Sequence, residues 1–249
     1  MPPGRRGPRS DIDVRRRLID TAENLLGAQP WEPVSLRAIA REAGVAPAAL
    51  MHYFPTREDL LEALLAKRFG TVRTSMRDRL TALIEQQAPV SVEDVVAAAI
   101  QPVVDVVDAD PLGGFRWVRI FNHLALIQSP VWTKTVNEPG LVRLYLKAAA
   151  RAMPNLTDVE VQRRTMISLN SALTTLANAD LDAYGRPLDA NGLDPLFVEQ
   201  LLLFTSAGLA AVPPAKSATK SGRRPTKPNR KAPRGASRGG RAANSAKGS

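Results

Sequence analysis

The stretch Ser35–Arg57, SLRAIAREAGVAPAALMHYFPTR, decides how the rest of the chain is read. Leu36, Ile39 and Ala40 form an apolar stripe at helical spacing behind Ser35, a natural N-cap. Gly44 breaks that helix, and a second opens at about Ala46. Two short helices on so tight a turn form a helix–turn–helix, the commonest device for laying one helix in the major groove of DNA. In such a unit Leu36, Ile39, Leu50 and Phe54 are the core that fixes one helix against the other.

Working outward, Asp11 or Asp13 is expected to cap a first helix that runs to about Leu26 and buries Val14, Leu18, Ala22, Leu25 and Leu26. Gly27 and Pro30 end it, and Trp31-Glu32-Pro33 connects it to Ser35. Pro55 stops the second helix of the motif. Thr56 with Asp59 then reads as a capping box opening a long helix through Leu60, Leu64, Phe69, Val72, Met76, Leu80 and Leu83, which ends before Pro89. Ser91 with Asp94 caps the next, which Pro102 should kink or interrupt. Gly113-Gly114 precede an apolar helix through Phe115, Trp117, Phe121 and Ile127. Pro130 and Pro139 bound an irregular join, a further helix runs through Tyr145 to Met153, and Thr157 to about Asp182 is long and helical. Leu193–Ala211 is a last helix, rich in Leu and Phe.

Composition agrees with a helical globule: 44% of the 249 residues are apolar, 5% are aromatic, and there is no cysteine. The last point excludes disulfides, zinc fingers and thiol catalysis, and suits a reducing cytoplasm. No apolar run approaches the roughly 18 residues that a membrane helix needs, so no membrane partner is expected. The opening MPPGRRGPRS has basic residues with no apolar segment behind them, unlike a signal peptide. The net charge is +10, yet Pro213–Ser249 alone holds eleven Lys or Arg and no Asp or Glu, which leaves the preceding residues at −1. That final stretch has no large apolar residue and is expected to be disordered.

Catalysis is not expected: there is no glycine-rich phosphate loop, no HExxH, no Gly-x-Ser-x-Gly and no cysteine nucleophile. With two histidines, a metal site is hard to build, and no metal or cofactor is expected.

Val34–Leu64, VSLRAIAREAGVAPAALMHYFPTREDLLEAL, with the helix before it, resembles the DNA-binding domain of the TetR family of bacterial transcription regulators. The Ala43-Gly44-Val45 turn, Leu50, Tyr53-Phe54, Thr56-Arg57 and Leu60 carry the match, which spans about residues 11–65. Trp117 to Asn178 is similar to a subgroup of these regulators, some of which sense lipid-like ligands. The resemblance implies an all-α chain with an N-terminal three-helix DNA-binding domain (11–55) and a larger helical ligand-binding and dimerisation domain (56–212). A flexible basic arm (1–10) and the basic tail (213–249) flank them. It further implies a homodimer through the last two helices, a small-molecule effector, and repression that the effector relieves.

Two features depart from the family pattern. Met51 stands where a phosphate-binding tyrosine is usual, and Ala46, Pro47, Ala48 and Ala49 replace polar residues at the start of the reading helix. Such a helix can approach the groove closely and touch thymine methyls, with His52 as its main polar reader. Specificity would then lean on apolar contact and DNA shape. Ser35 can offer its hydroxyl and nearby backbone N–H groups to a phosphate, and Arg37, Tyr53 and Arg57 are candidate backbone clamps. In the second domain Phe115, Arg119, Asn122, His123 and Asn170 are candidate effector contacts, because polar groups in an apolar cavity orient a ligand. The expected function is a ligand-responsive repressor on a palindromic double-stranded operator, acting in the bacterial cytoplasm at the nucleoid. The alternative is an architectural DNA-binding protein dominated by its tail.

Overall fold

The computed structural model describes residues 8–28, 34–137 and 140–211. The expected arm, the Trp31–Pro33 connection, Pro139 and the basic tail lie wholly or largely outside them. Ten α-helices occur among the described residues. The first three, α1 (Pro8–Leu26), α2 (Leu36–Glu42) and α3 (Pro47–Tyr53), form the small N-terminal unit. The next, α4 (Arg57–Glu85), has 29 residues, so it is about 44 Å long and reaches into the second group. That group comprises α5 (Val92–Ala109), α6 (Pro111–Leu126), α7 (Pro130–Asn137), α8 (Leu141–Ala152), α9 (Asp158–Leu176) and α10 (Pro195–Ala210).

Local chemistry sets these boundaries. Thr56 and Asp59 make the capping box: Asp59 N–H donates to Thr56 Oγ1 at 3.1 Å and Thr56 N–H to Asp59 Oδ2 at 3.0 Å. The Thr56 hydroxyl and N–H hold the Asp59 carboxyl below the usual carboxylate range. A second box joins Thr157 and Glu160 at the start of α9. Ser91 and Asp110 cap α5 and α6. One apolar core runs through all of this, from Leu18, Ile39, Leu50 and Phe54 to Leu80, Trp117, Ile120, Leu176 and Leu209.

Five boundaries differ from the sequence expectations. α1 begins at Pro8, not at an Asp11 or Asp13 cap. Pro102 does not interrupt α5, which runs unbroken and buries the ring. A mid-helix proline costs about 3 kcal/mol, which packing against α4, α6, α8, α9 and α10 offsets here. Gly113 and Gly114 lie inside α6, because Asp110 and Pro111 start the helix before them. Gly114 is small for a reason: a Cβ there would lie 2.3 Å from the Val106 carbonyl oxygen of α5.

The join expected between Pro130 and Pro139 is the helix α7. Pro130 occupies its first position, where a missing N–H is harmless, so it starts the element. Finally, α9 stops at Leu176, short of Asp182. A 3₁₀ turn (Asp182–Tyr184) and a two-residue antiparallel hairpin, β1 (Leu188–Asp189) and β2 (Gly192–Leu193), follow. The hairpin docks on α5, where Leu193 N–H donates to Asp108 Oδ1 at 3.0 Å.

Candidate nucleic-acid interface and internal cavity

The turn between α2 and α3 is closed by its own backbone. Gly44 N–H donates to Arg41 O at 3.1 Å and Val45 N–H to Ala40 O at 2.9 Å, the paired bonds of a Schellman motif. Gly44 takes φ +66°, a left-handed conformation in which a side chain is strained. Ala46 then acts as N-cap with Pro47 in the first turn of α3. Leu50 and Phe54 are 1% exposed and anchor α3 to the core. The opposite face presents Ala46, Pro47, Ala48, His52 and a half-exposed Met51, with Ala49 partly buried beside them. The outer face of the reading helix is thus small and mostly apolar.

The expected backbone clamps fall in different settings. Ser35 Oγ accepts from Ala38 N–H at 3.1 Å as the N-cap of α2, so its own O–H remains a donor. Arg37 is exposed. Tyr53 is half-buried against the core, with the His52 ring edge-on at 5.3 Å. Arg57 is half-buried, and its Nη1 donates to the Val34 carbonyl at 2.5 Å, tying the start of α4 to the entry of α2.

The second domain holds a cavity of about 80 Å³ between α4 and α9. Phe69, Trp117, Phe121, Trp132 and Tyr145 supply its aromatic lining, and Met76 and Met166 are among its aliphatic residues. None of the lining side chains is Asp, Glu, Lys, Arg or His. Burial pushes the Tyr145 phenol well above its ordinary value, so it stays neutral.

Of the five candidate effector contacts, the structure brings Asn170 to this cavity, at its exposed rim. The other four are not among the lining residues. Phe115 is buried beneath the Arg119 guanidinium, whose carbon lies 4.5 Å from the ring centroid. Asn122 is buried and accepts from the Thr174 hydroxyl at 3.2 Å. His123 is half-buried, and burial, then the positive charge of Arg57, holds its pKa below the ordinary value. Trp117 and Phe121, on the same helix, border the cavity.

Arg119 serves another purpose. Its Nη2 contacts both Asp180 oxygens at 2.6 Å, its Nε donates to Ala177 O at 3.1 Å, and its Nη1 to Gly27 O at 3.4 Å. It therefore holds the C-terminal ends of α1 and α9 together. Arg116, three positions earlier, donates to Asn24 Oδ1 of α1 at 2.5 Å. Arg68 of α4 lies between buried Glu23 of α1, at 3.2 Å, and Asp110 at the start of α6, at 2.5 Å. Lys67 adds contacts to Glu23 at 2.6 Å and Asp20 at 2.8 Å. Sequence reasoning missed this clasp. Its signal was an arginine inside an apolar helix, which needs a carboxylate partner. α6 thus turns Trp117 and Phe121 to the cavity and Arg116 and Arg119 to the end of α1.

Residues 18–64 match the family described as bacterial regulatory proteins, tetR family. Those residues form a TetR-family DNA-binding domain. The chain is 26% identical over 197 residues to the HTH-type transcriptional regulator BetI of Escherichia coli O17:K52:H18, covering 76% of this chain and 93% of that protein. It is 25% identical over 142 residues to BetI of Klebsiella pneumoniae, covering 57% of this chain and 65% of that one. In fold it is similar to the fatty acid degradation regulator FadR of Bacillus halodurans, with a TM-score of 0.50 at 18% identity, covering 83% of this chain and 99% of that one. Among the described residues no helix is long and apolar enough to cross a membrane.

Proposed function

We propose that this regulator is a repressor that binds a palindromic operator as a homodimer and leaves it when a small apolar effector enters the cavity between α4 and α9. The observation that carries this reading is the double duty of α6. One face borders the cavity through Trp117 and Phe121, and its neighbour holds the end of α1 through Arg116 and Arg119. A ligand that widens the cavity displaces α6, and with it the unit that carries α3. The effector favours whichever arrangement it binds better.

Dimerisation through α9 and α10 accounts for their outward apolar residues. Ile167 and Leu203 are 67% exposed and Phe204 is 77% exposed, and a second copy covers such a face symmetrically. The reading helices contact DNA through Ala46, Pro47, Ala48, Ala49, Met51 and His52. Ser35, Arg37, Tyr53 and Arg57 position it on phosphates, and this takes place in the cytoplasm on nucleoid DNA.

Footprinting on DNA upstream of the regulator's own gene tests this, using the full chain and a chain ending at residue 211. A repressor protects the same two symmetric half-sites in both forms, about one DNA turn apart. An architectural protein dominated by its tail loses most of its affinity on truncation and shows no preferred site, which would overturn the reading.

A further inference from the structure

The cavity wall restricts what can enter it. Four of its five rings, those of Phe69, Trp117, Phe121 and Trp132, are engaged with one another. Phe121 stacks on Trp117 at 5.1 Å and on Phe69 at 5.7 Å, and meets Trp132 edge-on at 6.3 Å. The faces that a cation needs for a cation–π contact are therefore largely taken. No lining side chain carries a charge that would compensate an ionised ligand. The two indole nitrogens differ. Trp117 Nε1 donates to the Leu65 carbonyl at 3.2 Å. Trp132 Nε1 is shielded from solvent and has no hydrogen-bond partner among the described residues. A buried donor without an acceptor is costly, and structures rarely retain one without a reason. The reason is at hand if an acceptor arrives with the ligand.

We infer that the effector is an uncharged molecule with an apolar body and one oxygen acceptor, such as a ketone, and that Trp132 Nε1 donates to that oxygen. This rests on the reading of the cavity as the effector site. At about 80 Å³ the cavity is smaller than the roughly 300 Å³ at which pockets for drug-sized ligands begin. Entry therefore needs side chains to move, and flexible Met76 and Met166 in the wall can do so.

Three probes of matched shape test the proposal on the full chain: 2-nonanone, its alkene isostere 2-methyl-1-nonene, and octanoate. Affinities are read from tryptophan fluorescence. The wild type is expected to bind the ketone about tenfold tighter than the alkene, the contribution of one buried hydrogen bond, and octanoate at least about tenfold weaker than the ketone. In Trp132→Phe the ketone and alkene should bind within about twofold of each other. Should Trp132→Phe prove poorly folded, the indole ¹⁵N–¹H resonance of Trp132 in the wild type gives the same answer. It should move downfield with the ketone and not with the alkene.

A ketone preference that survives in Trp132→Phe, or octanoate binding as tightly as the ketone, overturns the inference. The variant Val103→Phe, which fills the cavity, separates the two levels of failure. If it leaves ketone binding unchanged, or if no probe binds the wild type, the cavity reading itself fails. If it abolishes binding while Trp132→Phe keeps the preference, only the indole assignment fails.

Discussion

Replacing Arg119 with methionine keeps the length and apolar stem of the side chain and removes its charge and five donors. The Arg119 side chain is 10% exposed and that of Asp180 is 37% exposed. Breaking a fully buried ion pair costs about 3–5 kcal/mol, and an exposed pair is worth under about 1 kcal/mol. With Asp180 open to solvent, this pair contributes about 1–2 kcal/mol. Losing the bonds to the Ala177 and Gly27 carbonyls, and the contact with Phe115, adds about 1 kcal/mol after allowance for water at the freed carbonyls. Arg119→Met should therefore lower stability by about 2–3 kcal/mol, measured by urea unfolding at pH 7 and one fixed protein concentration. Combined with Asp180→Asn, the double-mutant cycle should give a coupling of about 1 kcal/mol or more. A loss below about 0.5 kcal/mol would mean that Arg119 behaves as a surface residue. The clasp between α6, α1 and α9 would then not be a mechanical link, and the account of signal transfer would fail with it.

Gly114→Ala should destabilise by more than about 2 kcal/mol, because its Cβ would strike α5 backbone that cannot move aside; a neutral thermal shift would contradict this. His123 gives a pH dependence of known sign. Its folded pKa is depressed, so the unfolded chain binds the proton more readily. The contribution is complete above the ordinary histidine value of about 6.5 and is lost as pH falls through it toward the folded value. His123→Gln should flatten the fall in unfolding free energy between about pH 7 and 5, and an unchanged slope would remove His123 from the explanation. Deleting residues 212–249 removes eleven cations. It should reduce the salt dependence of non-specific DNA binding, read as the slope of log K against log salt concentration, while operator preference is kept.

The reading head was legible in the sequence because its signals are local. Ser35, Gly44, Pro47 and the Thr56–Asp59 pair each fix backbone within a few residues of themselves, and each does so in the structure. α5 and α7 were less legible because proline has two meanings. Pro102 is tolerated inside a buried helix, and Pro130 begins one, and only tertiary contacts distinguish these from a break. The candidate effector contacts fall in different places for a related reason. Periodicity puts Arg119, Asn122 and His123 on the same helix as Trp117 and Phe121, but it does not say which face meets a cavity and which meets another helix. Asp180 is 61 positions from Arg119 and Asn24 is 92 from Arg116, and no spacing rule joins residues that far apart. The cavity itself is lined from six helices, α4 to α9, so no local segment announces it.

The central claim is that cavity occupancy moves the reading heads through α6, and a distance measurement tests it most directly. The chain has no native cysteine, so Glu42→Cys on exposed α2 gives one spin label per subunit and a single inter-label distance in the dimer. Filling the cavity with 2-nonanone should shift this distance by several ångströms, and Arg119→Met should weaken the shift without abolishing ketone binding. An unchanged distance in wild-type protein saturated with the ketone would contradict it.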